Sequence, residues 1–135
     1  MTSLWNSAEL RTATNGTLAA DIAVTGVSID SRSIAQGDIF IALRDQRDGH
    51  EFVTDALSRG AVIAMVDHAP PSAVDMAKLL HVTDTLAGLT ALGAAGRARA
   101  AARVVGITGS VGKTTTKEML RVALGAFGAT HASAA

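Results

Sequence analysis

The apolar positions of this chain come in short clusters whose period switches between helical and extended. In NSAELRTATNG, Asn6 or Ser7 is placed to cap a short helix, Leu10 takes its buried side, and Asn15 with Gly16 gives a left-handed stop. Two extended runs follow, AVTGVSIDSR and GDIFIALR. In them Val24, Val27 and Ile29, then Ile39, Ile41 and Leu43, recur at mostly alternating spacing around a turn at Gln36, Gly37 and Asp38. RDQRDGH reads as a polar loop, and EFVTDALSRG sets Phe52, Ala56 and Leu57 at helical spacing with Gly60 as the stop. The continuous apolar run AVIAMV predicts a strand covered on both faces. Pro70 and Pro71 open a loop, and KLLHV is a further strand candidate. Asp84 or Thr85 then caps a helix in which Leu86, Leu89 and Leu92 form a thin apolar stripe. Gly88, Gly93 and Gly96 weaken that helix, so packing must support it.

At Arg103 the pattern changes. VVGIT is a buried-type strand, a glycine turn follows, and KTTTKEMLRVALGAF carries helical spacing through Met119, Val122, Ala123 and Phe127 to Gly128. The expected division is a small mixed α/β domain over residues 1–102 and the start of a second, parallel-sheet domain over residues 103–135.

Composition narrows the partners. Twelve Lys and Arg balance twelve Asp and Glu over 135 residues, so no net field draws the chain to nucleic acid or an anionic membrane, and any phosphate recognition must be local. With three Phe, one Trp and no Tyr, the core is aliphatic and stacking platforms for single-stranded nucleic acid are lacking. There is no cysteine, which excludes disulfides and thiolate metal sites and is compatible with a reducing cytoplasm. MTSLWNSAEL lacks the basic and apolar regions of a secretory signal, and no apolar run reaches the roughly 20 residues of a spanning helix. A cytoplasmic chain without membrane insertion is expected.

The stretch GITGSVGKTTTKEML carries the clearest chemistry. Backbone N–H groups can converge on phosphate oxygens only where no Cβ collides and φ can turn positive, a need that Gly109 and Gly112 meet. A helix beginning at Lys113 would direct its positive end at the anion. Lys113 would reach the β- and γ-phosphates in the catalytic role, and the Thr114 hydroxyl would bind Mg²⁺. The strict G-x-x-x-x-G-K-[ST] pattern is not met, because Ile107 stands at the first glycine position. A strand-to-helix turn rich in small residues is the alternative. Thr115 and Thr116 either touch phosphate or cap the first turn.

Taken with SIDSR, GDIFIAL and DGHEF, the segment ITGSVGKTTTKEM resembles the Mur ligase family of ATP-dependent amide-forming enzymes of peptidoglycan synthesis, with the four motifs in the family's order along nearly the whole chain. The family's loop, T-G-[ST]-x-G-K-[ST]-[ST], is matched by Thr108, Gly109, Ser110, Val111, Gly112, Lys113, Thr114 and Thr115, which the resemblance assigns to ATP, with Mg²⁺ on Thr114. It assigns Ser31 and Arg32 of DSR to the uridine diphosphate end of the substrate, and Asp48, Gly49 and His50 of DGH to a neighbouring loop of that pocket. A guanidinium can fork two donors onto pyrophosphate or a uracil carbonyl. The T-K-E-M continuation is more similar to the member that adds D-alanyl-D-alanine than to the one that adds the third peptide residue.

The implied reaction activates the terminal carboxylate of UDP-N-acetylmuramoyl-tripeptide as an acyl phosphate at the expense of ATP, and the amine of D-alanyl-D-alanine then attacks it. The family's further Mg²⁺ ligands and amine-orienting groups would lie beyond Ala135, so an N-terminal fragment, inactive alone, is expected. Two other readings stay open: a non-catalytic UDP-sugar-binding module, and the ligase that adds the third residue.

Without the resemblance, Asp30, Ser31 and Arg32 read as a polar turn after a strand, with Asp30 orienting Arg32, and His50 reads as a helix-entry residue. Histidines 50, 68, 81 and 131 form no close pair in sequence and no zinc spacing, so no protein-held transition metal is expected. Asp45, Asp48, Glu51 and Asp55 read as a solvated loop and helix face, Trp5 as an anchor of the first helix, and Arg97, Arg99 and Arg103 as solvated cations.

Overall fold

The computed structural model describes residues 2–134. The chain divides into two compact units, one ending at Ala100 and the other beginning at Ala101.

The first unit is built on a four-stranded parallel sheet in the order β3 (Gly26–Ser28), β4 (Asp38–Ile41), β5 (Ile63–Val66), β6 (Leu79–His81). Register is set by Val27 opposite Ile39, Ile39 opposite Ile63, and Met65 opposite Leu80. A two-stranded antiparallel ribbon, β1 (Trp5–Asn6) with β2 (Ala23–Val24), precedes it. Helix α1 (Ser7–Thr14) follows β1, α2 (Val53–Arg59) links β4 to β5, and α3 (Thr85–Arg99) follows β6.

All four residues of β4 and of β5 are buried, because the pleat sends alternate side chains into two different cores. Ile39, Ile41, Ile63, Met65 and Leu80 join Leu10 of α1 and Leu92 of α3 on one side. Phe40, Ala64, Val66 and Leu79 join Val53 and Ala56 of α2 on the other. A continuous apolar run thus means a sheet covered on both faces. Each such aliphatic side chain gains about 1.5–3 kcal/mol over an exposed one.

The helix ends follow local chemistry. Asn6 accepts from the Glu9 N–H at 2.9 Å while Glu9 accepts from the Asn6 N–H at 2.8 Å, a reciprocal cap, and Asn15 closes α1 at φ 57°. Asp84 caps α3 through the Ala87 N–H at 2.7 Å. On α3 the expected stripe is shifted: Leu86 is exposed, and the buried positions are Thr85, Gly88 and Leu92. Gly88 lies so close to β5 that a Cβ there would come within 2.7 Å of the Met65 sulfur. The glycines that weaken α3 as an isolated helix therefore include one that lets it approach the sheet. Of the alternating residues noted in the sequence, Val27, on the edge strand β3, and Ile29, just past its end, are exposed. Arg99, expected to be solvated, lays its guanidinium 3.7 Å from the Trp5 ring and donates to the Leu4 carbonyl.

In the second unit, α4 (Lys113–Gly125) forms as its spacing predicts. The VVGIT segment is not paired as a strand. A strand exists only through its neighbours, and among the described residues the second unit contains none; Val104 and Val105 are exposed.

Candidate functional site

Two places in the structure gather the motif residues, one in each unit. In the first, the chain leaves β3 through Ile29 into a single 3-10 turn, Ser31–Ser33. The Asp30 carboxylate caps that turn, accepting from the Arg32 N–H at 2.9 Å. The same carboxylate takes a forked pair from the Arg32 guanidinium, Nη2 to Oδ2 at 2.7 Å and Nε to Oδ1 at 3.0 Å. Asp30 therefore orients Arg32, whose side chain remains 83% exposed and available to an anion. The hydrogen bond from the Arg32 side chain, then that from its backbone, hold the Asp30 carboxyl at about 2. The pairing in turn raises Arg32 above its ordinary value.

Beside this turn lies an open groove of about 720 Å³. Ser31, Arg32 and Gly49 line it together, so the DSR and DGH motifs meet although 17 residues separate Arg32 from Gly49 by number. Gly49 is there because only glycine fits: its N–H donates to the Leu43 carbonyl at 2.8 Å, and a Cβ would lie 2.5 Å from that same oxygen. Three further lining residues escape sequence reasoning. Arg47 brings a second guanidinium, 4.5 Å from the Phe52 ring centre, and Asp55 brings a carboxylate that Arg59, then Ser31, hold below the usual range. An arginine two residues before the DGH glycine and a phenylalanine three after it were the available signal, hidden in a stretch that reads as polar loop.

Asp48 and His50 do not line the groove. Asp48 caps a second 3-10 turn, Gly49–Phe52, accepting from the His50 N–H at 3.0 Å. His50 is buried, which is the helix-entry reading of this residue. Its Nε2 accepts from the Asp67 N–H at 3.2 Å, which assigns the proton to Nδ1, 2.6 Å from Asp48 Oδ1. The histidines, unpaired in sequence, do pair in space: His50 and His68 stack with ring centres 3.6 Å apart. With Asp48 they place possible ligand atoms within 4.8 Å of one another. These atoms are already engaged with one another, His50 Nδ1 lying 2.6 Å from Asp48 Oδ1 and His68 Nε2 3.1 Å from Asp48 Oδ2. The arrangement is a hydrogen-bonded network. Asp48, read from sequence as a solvated acid, belongs to it.

In the second unit, Gly109 and Gly112 take φ values of 154° and 79°, a conformation that side-chain-bearing residues rarely adopt. Gly112 is the N-cap of α4 and gives it no side-chain acceptor, and the Gly112 carbonyl receives the first helical bond from the Thr116 N–H at 2.9 Å. Lys113 folds back on the loop, donating to the Gly109 carbonyl at 2.8 Å. Thr108, Ser110, Val111, Thr114 and Thr115 are all exposed around this turn. A loop with unpartnered N-terminal N–H groups and an adjacent ammonium is chemically suited to an anion.

The family described as "Mur ligase family, catalytic domain" matches residues 23–107. The chain belongs to the Mur ligase family. It is 38% identical to UDP-N-acetylmuramoyl-tripeptide–D-alanyl-D-alanine ligase of Synechocystis sp. over 115 residues, 84% of this chain and 25% of that protein. It is 39% identical over 110 residues to UDP-N-acetylmuramoyl-L-alanyl-D-glutamate–2,6-diaminopimelate ligase of Chlorobium phaeobacteroides, 78% of this chain and 21% of that one. Among solved structures, MurF from Acinetobacter baumannii superposes with a TM-score of 0.74 at 35% identity, covering 90% of this chain and 28% of that one. The MurF ligase of Thermotoga maritima, in complex with ADP, does so with a TM-score of 0.60 at 31% identity, covering 76% and 24%. The chain thus spans about a quarter of the length of the relatives it matches. Among the described residues, no helix is long and apolar enough to cross a membrane.

Proposed function

We propose that residues 1–102 hold the uridine diphosphate end of UDP-N-acetylmuramoyl-tripeptide, and that residues 103–135 open an ATP site, within a cytoplasmic ligase that joins D-alanyl-D-alanine to that substrate. The observation that carries the reading is the meeting of Ser31, Arg32 and Gly49 in one groove, with Arg32 pre-oriented by Asp30 and Arg47 adding a second guanidinium. Two cations beside a hydroxyl suit a pyrophosphate linking a uridine to a sugar.

The loop at residues 108–115 fits the phosphates of ATP by its positive-φ glycines, its uncapped helix end and Lys113. When bound, ATP would supply the phosphoryl group that activates the substrate carboxylate, with Mg²⁺ neutralising charge. Lys113 would exchange its bond to the Gly109 carbonyl for a phosphate oxygen, and the Thr114 hydroxyl would ligate the metal. Reaction also needs groups to orient the amine, which none of the assigned residues provides; this chain alone binds without turning over.

Calorimetric titration of the 135-residue chain with UDP-N-acetylmuramoyl-tripeptide, and separately with Mg·ATP, tests the proposal. The tripeptide substrate should bind without ATP, and Arg32→Ala should weaken it by about tenfold or more, as losing a hydrogen bond to a charged group does, while the chain stays folded. Lys113→Ala should affect Mg·ATP alone. No binding of the uridine ligand by a folded sample overturns the reading. A second reading, supported by the Chlorobium relative, makes the parent enzyme the one that adds the third residue. Tighter binding of UDP-N-acetylmuramoyl-L-alanyl-D-glutamate than of the tripeptide would favour it.

A further inference from the structure

The two guanidinium groups of the groove are held in unlike ways. Arg32 gives Nε and Nη2 to the Asp30 carboxylate, within a turn that both residues share. Arg47 sits in an exposed loop with Asp45 and Gln46 and has one ionic partner, Glu51, which its Nη2 meets at 3.3 Å. Both of those side chains are largely exposed, and a single long hydrogen bond between exposed charges fixes little. Among the described residues no other hydrogen bond restrains that guanidinium.

A ring supplies the firmer hold. Arg47 Cζ stands 4.5 Å from the centre of the Phe52 ring, inside the roughly 6 Å at which an aromatic face attracts a cation. Phe52 is half-buried at the end of the 3-10 turn Gly49–Phe52, and it packs against the core that contains Phe40, Val53 and Ala56. The platform is therefore anchored in the domain although the arm above it is not. Attraction to a ring draws on the charge of a guanidinium and not on a particular donor, so the N–H groups not given to Glu51 stay available to a ligand. A pyrophosphate would compete with the Glu51 carboxylate for the same cation, and the ring would remain once Glu51 had let go.

We infer that Phe52 is a positioning residue that keeps the Arg47 guanidinium at the groove wall while its ion pair with Glu51 is exchanged for the pyrophosphate of a uridine diphosphate ligand. The inference rests on the groove being the uridine site. Phe52 acts here through Arg47 and not by touching the ligand, and Glu51 is a partner of the empty groove alone. Holding a rotamer-rich side chain in place beforehand lowers the ordering cost of binding.

A double-mutant cycle in the 135-residue chain, read by calorimetric titration with UDP-N-acetylmuramoyl-tripeptide, tests it. Phe52→Leu keeps an apolar side chain against the core and should weaken binding by about threefold or more, the usual size of a partly exposed cation–π contact. Arg47→Ala should weaken it by about tenfold. In the Arg47→Ala background Phe52→Leu should have no further effect, because the group it positions is gone. Glu51→Gln should bind at least as tightly as wild type. A loss from Phe52→Leu that persists without Arg47 assigns the ring to the ligand or to the fold and overturns the inference. Unchanged binding in Phe52→Leu overturns it too.

Ligand-free NMR separates this from failure of the site itself. The Phe52 ring current should displace the Arg47 side-chain proton signals in wild type and in Glu51→Gln, and the displacement should vanish in Phe52→Leu. If that pattern appears and no uridine ligand binds, the hold on Arg47 stands and the uridine assignment fails. If the displacement vanishes in Glu51→Gln, Glu51 is what holds Arg47, and the inference is refuted whatever binds.

Discussion

The two units of this chain solve the problem of an apolar strand differently. AVIAMV in the first unit has β4 and β6 beside it and helices over both faces, and every residue of β5 is buried. VVGIT in the second has similar composition, and Val104 and Val105 stay exposed, as do Val111 and Phe127 at 90%. Composition makes a segment able to be a core strand, while neighbours make it one. The motif chemistry divides likewise. The groove of the first unit is pre-organised by hydrogen bonds from flanking elements. In the loop of the second, among the described residues, Lys113 donates to the Gly109 carbonyl and Thr116 to the Gly112 carbonyl.

Hydrogen exchange should show the contrast at its largest. Amides of Ile39, Ile63 and Met65 should exchange at least about a thousandfold more slowly than those of Val105 and Ile107, since they open only with the global unfolding of a marginally stable domain. Equal protection in a dilute monomer would erase the distinction. Truncation gives the next largest effect: Ile63→Ala should cost about 2–5 kcal/mol through the cavity it leaves, whereas Val105→Ala should change stability by about 0.5 kcal/mol or less. Chemical denaturation followed by circular dichroism reads both.

Gly49→Ala sharpens the comparison within the first unit. Its new Cβ meets the Leu43 backbone and not a movable side chain. A loss of about 1–3 kcal/mol, the usual range for overpacking, should accompany weakened uridine-ligand binding. Gly125 of α4 has open space within 4 Å of where a Cβ would stand, so it should accept alanine with no loss. The smallest effect concerns pH. The Asp30 carboxyl sits at about 2, below its ordinary value, so the pairing contributes stability that is present above that ordinary value and lost as pH falls through about 2. An NMR titration of Asp30 should show that low midpoint in wild type and a return toward the ordinary carboxylate range in Arg32→Ala.

Much of the first unit was legible because its elements announce themselves locally. The Asn6 cap, the Asn15 stop, the Gly60 stop and the two-sided β5 all follow from nearest neighbours in sequence. What escaped depends on distance along the chain. Val27 and Ile29 alternate as a buried strand would, and nothing local reveals that β3 is an edge. Gly88 looks like a helix defect until Met65 lies against it. The histidine pair joins positions 50 and 68 through the parallel crossover, so no spacing rule finds it. At the groove, the two motifs were readable and their meeting was not, and Arg47 and Phe52 were concealed by an ordinary polar and helical context.

The stack of Arg99 on Trp5 gives the molecule a built-in optical label. With one tryptophan and no tyrosine in the sequence, near-ultraviolet fluorescence comes from a single indole, buried in the first unit and capped by a guanidinium. Its emission will follow the melting of the first unit alone. The second unit is dark in that band, so Phe127→Trp would give it a separate colour and let the two be watched apart in one sample.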